Sequence, residues 1–207
     1  AYFTLPGNER YYTQRQGPVE FFIINSNADP DGTTATSVQG QWLQGRLAAS
    51  TARWKLVVLH HPPYSSDRGG AGNPGFRWPF ATWGAHAVFA GHDHIYAGIQ
   101  TNGIPYFING LGGHAIDAFG STDSAAAVRY RSDYGAMRLE ATESNLICQF
   151  VSRGNVVADT FVLGSPVTGP IVLAPPLDQT VITGRARTFD VLASGTATLR
   201  YQWERNG

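Results

Sequence analysis

Apolar residues in the first half of the chain fall into short runs, each closed by a glycine, a histidine or a turn residue. PVEFFIIN (18–25), KLVVLHH (55–61) and AHAVFAG (85–91) read as buried strands, because β-branched and aromatic residues continue without a polar face. SVQGQWLQGRLAAS (37–50) has a different period. It puts Val38, Trp42, Leu43 and Leu47 on one helical stripe, with Ser37 or Thr36 placed to cap it. Strand, helix, strand, loop, strand predicts an α/β layer with a buried sheet. The connection YSSDRGGAGNPGFRWPFATWG carries Trp78, Phe80 and Trp83. So long and aromatic a segment is expected to pack down near a functional site.

After residue 95 the pattern becomes alternating. Asn102-Gly103 separates IYAGIQ from IPYFIN, a two-residue hairpin signal, and further alternating runs span 134–142, 146–152 and 156–163. This half predicts an antiparallel sheet. GSPVTGP (164–170) breaks the pattern and reads as a linker. The expected division is therefore a domain over 1–164, a linker at 165–170 and a separate β segment over 171–207. That segment ends on Asn206-Gly207, a hairpin turn with no partner strand. About forty residues cannot bury a sandwich core, and Met137 is the only methionine, so the sequence reads as part of a longer product.

Composition narrows the functional classes. At 207 residues and 43% hydrophobic, the chain can bury a core. Fifteen basic residues balance fifteen acidic ones without a run of either sign, which leaves no electrostatic footprint for nucleic acid. No apolar stretch is long enough for a transmembrane helix, and the first residues lack signal-peptide order. The single Cys148 excludes an intrachain disulfide and sits in the apolar alternation LICQFV, where a buried small hydrophobe is expected. No G-x-S-x-G motif occurs, which sets a serine hydrolase aside.

The chemistry lies in VVLHHPPY (57–64) and FAGHDH (89–94), which hold four of the six histidines directly after predicted strands. Ligands bind at the carboxyl ends of strands in open α/β sheets, and neutral imidazole is a common ligand of transition metals. A lone histidine at a strand end is more often a scaffold residue, but two such clusters favour a metal site. Gly91 is expected to give a tight backbone turn there, and Pro62 and Pro63 to fix the exit of the other strand.

These two motifs, with the surrounding RWPF and WGAHAVFAGHDHIY, resemble the last two metal-binding motifs of the calcineurin-like metallophosphoesterases, in the branch related to purple acid phosphatases. The resemblance covers residues 1–164 and implies an α/β fold, the C-terminal part of a β-sandwich flanked by helices. It implies that His60 is a ligand and that His92 and His94 supply one ligand to each of two metal ions, Fe, Zn or Mn. It further implies hydrolysis of phosphate mono- or diesters through a bridging hydroxide. His61 lies one step past a ligand, where a role in orienting ligands, in substrate contact or in packing is open.

The family's upstream D-x-H, G-D-x-x-[DY] and G-N-H-[DE] motifs are absent from these residues, so the fragment alone is expected to be inactive. Gly7-Asn8-Glu9 lacks the histidine of the last motif, and Asn8 is not expected to be a ligand. His86 and His114 are read as scaffold histidines. Asp93 is expected to point away from the ligands, while Tyr64, Tyr96 and Arg77 border the presumed pocket. The tail resembles the start of an immunoglobulin-like module, with Trp203 as core tryptophan and Phe189, Val191 and Ala193 facing inward. Such tails imply a secreted, periplasmic or cell-surface enzyme carrying further modules of this kind. The competing reading is a non-catalytic binding or adhesion protein on a degenerate phosphoesterase fold.

Overall fold

The computed structural model describes residues 4–27, 31–66, 72–120, 126–164, 171–177, 180, 184, 186, 188–194 and 201–204. The chain forms two compact units, Ala1–Leu163 and Gly164–Gly207. In order, the first contains β1 (Tyr12–Gln16), β2 (Val19–Ile23), α1 (Val38–Ala49), β3 (Trp54–Leu59), β4 (Ala87–Ala90), β5 (Tyr96–Thr101), β6 (Ile104–Asn109), β7 (Ala126–Tyr130), β8 (Gly135–Ala141), β9 (Asn145–Ser152) and β10 (Val157–Gly164).

Seven strands make one mixed sheet in the order β1-β2-β3-β4-β6-β5-β7. Its centre, β2 to β3 to β4 to β6, is parallel, and β1, β5 and β7 are antiparallel additions at the sides. Strand alternation sends side chains to two buried faces. Trp54, Leu56, Ala87, Tyr96 and Phe107 face Leu146, Cys148 and Phe150 of a second sheet, ordered β10-β9-β8. Val57, Leu59, Val88, Ile99, Tyr106 and Ile108 face Leu43 and Leu47 of α1 and the aromatics Phe76, Trp78 and Phe80 of the long connection. The main sheet is thus a middle layer, which is why its strands read as continuous apolar runs.

Ser37 caps α1, its hydroxyl accepting from the Gly40 amide at 3.2 Å. Val38 was expected on the core stripe but is 64% exposed, while Gln39 is buried. The reason is a polar clamp. The Asn25 amide donates to Gln39 Oε1 at 2.6 Å, and Gln39 Nε2 donates to the Asn25 carbonyl at 2.9 Å, tying the chain that leaves β2 to the helix. Cys148 is buried as expected, and burial raises its thiol pKa to about 12.

Two expectations are corrected. Among the described residues there is one α-helix, so the unit is mostly β and not flanked by several helices. The second half is not one antiparallel sheet either. The hairpin turn at Asn102-Gly103 forms with both residues at positive φ (51° and 84°), but β6 inserts between β4 and β5 and runs parallel to β4. Alternation reports burial of a face and carries no information about which neighbour a strand pairs with.

In the second unit, β11 (Ile171–Ala174) pairs antiparallel with β12 (Leu192–Ser194). The Phe189 and Trp203 rings lie 6.2 Å apart, yet both are exposed, by 47% and 59%, against the expectation of an inward-facing Phe189 and a core tryptophan. The described strands here are too few to enclose a large indole. The linker at 165–170 and the Asn206-Gly207 turn lie outside the described residues.

His86 serves the scaffold. Its Nδ1 accepts the Lys55 amide at 2.9 Å, and burial, with Lys55 and Arg53 nearby, lowers its pKa below the ordinary 6.5. The unfolded chain then binds the proton more readily than the folded one, so stability is full above about pH 6.5 and declines as the pH falls below it. Urea denaturation in the presence of a chelator between pH 7.5 and 5 is expected to show this loss, with a shallower slope in His86→Asn, which keeps an acceptor that does not titrate.

Candidate metal centre

The carboxyl ends of the four parallel strands share one rim of the sheet. Ser26 follows β2, His60 and His61 follow β3, His92 and His94 follow β4, and His114 and Asp117 follow β6. Parallel registers pair Leu59 with Ala90 and Ala90 with Ile108, so the residues just beyond are held side by side. The Gly91 amide then donates to the His60 carbonyl at 3.0 Å, joining the two histidine motifs through the backbone.

Between β4 and β5 the chain makes two successive three-residue turns. The Asp93 amide donates to the Gly91 carbonyl and the Ile95 amide to the Asp93 carbonyl, both at 2.8 Å. His92 and His94 occupy the two centres. Gly91, expected to give a tight turn, opens it by accepting the Asp93 amide, and the left-handed residue is the next one, His92 (φ 65°). A non-glycine residue held there stores backbone strain of the kind that accumulates at functional sites.

The rings form two groups. In the first, His92 Nδ1 lies 3.1 Å from His60 Nε2, and donor atoms of His60, His61 and His92 all lie within 4.8 Å of one another. A buried hydroxyl fixes His61: Ser26 Oγ accepts its backbone N–H at 2.8 Å and lies 2.9 Å from its Nδ1. Oγ, with two lone pairs and one proton, can donate to or accept from Nδ1 of the neutral ring, so the contact fixes the ring's position and not its tautomer. Desolvation, followed by the neighbouring His92 and His60, lowers the His61 pKa and favours this neutral ring.

His94 belongs to the second group. Its Nδ1 lies 3.0 Å from His114 Nδ1 and 3.3 Å from Asp117 Oδ2. Asp117 also grips the backbone at that point, its amide donating to the His94 carbonyl at 3.0 Å and its Oδ2 accepting the His94 amide at 3.3 Å. Neither His114 nor Asp117 was singled out from the sequence as a site residue. The one signal was position: LGGHAID follows β6 as HHPPY follows β3, and it is legible only once β6 is known to be parallel to β4.

Other expected neighbours sort clearly. Tyr64 packs edge-to-face against Tyr106 at 4.9 Å, its hydroxyl accepts from Asn102 Nδ2 at 2.7 Å, and Arg77 lies 4.6 Å over its ring. Tyr96 does not border the site. It points to the opposite face of the sheet, stacked on Phe150 and donating to Asp159 at 2.7 Å, where burial raises its pKa. Asn8 caps a local turn by accepting the Arg10 and Tyr11 amides, both at 3.0 Å.

This arrangement can be set beside known structures. A purple acid phosphatase, PPD1, from yellow lupin (Lupinus luteus) seeds superposes with a TM-score of 0.70 at 20% identity, over 78% of this chain and 34% of that one. The fold is metallophosphoesterase-like. GAP50, the anchor in the inner membrane complex of Plasmodium, gives a TM-score of 0.57 at 19% identity, over 74% of this chain and 53% of that one. PhoD gives 0.51 at 13% identity, over 74% and 40%. The chain therefore spans between a third and just over half of the length of these relatives in structure. No family profile matches the sequence, and no curated protein does.

The donor set fits a transition ion. Imidazole nitrogens about 2.0–2.1 Å from zinc lie about 3.3 Å apart in a tetrahedron, close to the observed His60–His92 spacing. Two structural expectations follow for the loop that carries them. A β-carbon on Gly110 would overlap the Asp93 carbonyl and sit 3.0 Å from His94 Cα, so Gly110→Ala is expected to cost about 1–3 kcal/mol in denaturant titrations. Without metal, His92→Gly is expected to be more stable than His92→Ala by about 1 kcal/mol, since only glycine tolerates the left-handed turn freely.

Proposed function

We propose that this chain supplies the histidine side of a binuclear, metal-dependent phosphoesterase site that hydrolyses phosphate mono- or diesters. One observation carries the reading: His60 Nε2 and His92 Nδ1, from adjacent parallel strand ends, lie 3.1 Å apart on a metallophosphoesterase-like fold. His60 and His92 hold one ion and His94 contributes to the other. Bound there, such ions of Fe, Zn or Mn neutralise phosphoryl charge and lower the pKa of water.

The remaining work falls to the protein. The three-residue turns fix the directions of His92 and His94, and Ser26 engages His61 Nδ1, leaving Nε2 for the substrate; in the Nε2–H tautomer it would donate to a phosphoryl oxygen. His61 is thus assigned to substrate contact, not to metal binding. Carboxylate and asparagine ligands of the family type are absent from these residues, so turnover is assigned to the whole protein. A secreted, periplasmic or surface setting with further immunoglobulin-like modules belongs to the same proposal. In the second unit Val191 and Ala193 are partly buried and alternate with exposed Leu192, while Phe189 is exposed. Among the described residues no helix is long and apolar enough to cross a membrane.

The second reading, a binding or adhesion protein, is favoured by the likeness to GAP50, described as an anchor. Full-length protein loaded with Mn, Fe or Zn decides between them on a chromogenic phosphate ester. Hydrolysis is expected, lowered at least a hundredfold together with metal content by His60→Ala or His92→Ala. His61→Ala is expected to retain metal while losing roughly ten- to a hundredfold in kcat/KM. No turnover with any of the three metals would favour the binding protein.

A further inference from the structure

The geometry points to His114 as a further metal ligand: we propose that His94 and His114 form a two-imidazole site for a zinc-like divalent ion, beside the His60–His92 pair. The proposal rests on the two-ion reading above and deepens it by naming a ligand that the sequence motifs did not supply.

Two ring nitrogens at 3.0 Å cannot both present bare lone pairs to one another. Either a proton or a cation must lie between them. His94 Nδ1 also faces Asp117 Oδ2 at 3.3 Å, a third electron-rich atom beside the same nitrogen. The site repeats the spacing of the His60–His92 pair, 3.1 Å, one strand further along the rim. Both pairs join a histidine of the turn after β4 to one that follows a neighbouring parallel strand. The His94 and His114 rings lie 4.2 Å apart and tilted by 37°, which leaves their nitrogens converging.

Placement supports a ligand more than a packing role. His114 is exposed and follows Gly112 and Gly113, the latter at φ 144°, so the backbone presents the ring at the rim with no apolar cover. Asp117 holds His94 through its own backbone amide as well as its carboxylate, which stops the ring from swinging out of line. These contacts grip the His94 backbone, while the carboxylate lies beside the same Nδ1 that faces His114. Asp117 is accordingly a positioning residue, and His114 the ligand.

The test uses the 207-residue chain and zinc alone, with calorimetry for stoichiometry and long-range 15N–1H NMR to identify which imidazole nitrogens shift. Two ions are expected, with His114 and His94 signals moving together at the second step. His114→Ala and His114→Gln, both at an exposed position, are expected to weaken that step tenfold or more while the His60 and His92 signals still respond. Asp117→Asn is expected to weaken it about ten- to a hundredfold without removing the His114 shift. If zinc binds at His60 and His92 while His114 stays unshifted, or if His114→Ala keeps both ions at full affinity, the assignment of His114 is overturned and the reading of His60 and His92 stands. If no zinc binds anywhere, both are overturned.

Discussion

Parallel pairing of β2, β3, β4 and β6 is the constraint on which the site depends. It aligns four chain exits on one rim and thereby joins Ser26, His60, His92 and His114, residues that lie far apart in sequence. Antiparallel pairing at any of those junctions would send one exit to the opposite edge. The register adds precision, since a slip of one residue would turn His60 away from His92 and exchange the two buried faces of the strand.

The sheet can carry this rim because both its faces are covered. α1 and the aromatic connection lie on one side, and the three-stranded sheet lies on the other. Burial on both faces leaves the strand ends as the place where polar side chains need not be desolvated, and there the histidines gather. The same architecture explains two hidden polar devices. Gln39 and Ser26, both buried, are spent on backbone and ring atoms of the segments that enter the site, so the core contributes directly to its rigidity.

Electrostatically, the rim concentrates imidazoles and few compensating charges. Desolvation, followed by the neighbouring His92 and His60, lowers the pKa of His61. Imidazole nitrogens gathered at ligand spacing are suited to a multivalent cation. Asp117 places a carboxylate beside the second pair, so the two halves differ in local charge although they match in nitrogen spacing. That asymmetry is what two ions of different character would use.

From the sequence alone came the buried strands around PVEFFIIN, KLVVLHH and AHAVFAG, the capped helix, the Asn102-Gly103 turn, the later alternating strands and the histidine motifs at 60–61 and 92–94. These depend on local rules of period, capping and turn chemistry, which act over a few residues. β1 and β7 escaped because short, polar or irregular edge strands lack a clean period. The parallel placement of β6, the outward turn of Tyr96 from the site, the left-handed conformation of His92 and the arrival of His114 and Asp117 beside His94 were decided only in three dimensions. Each depends on which strand lies next to which, and that choice is made by the summed burial of two sheet faces, not by any residue's immediate neighbours.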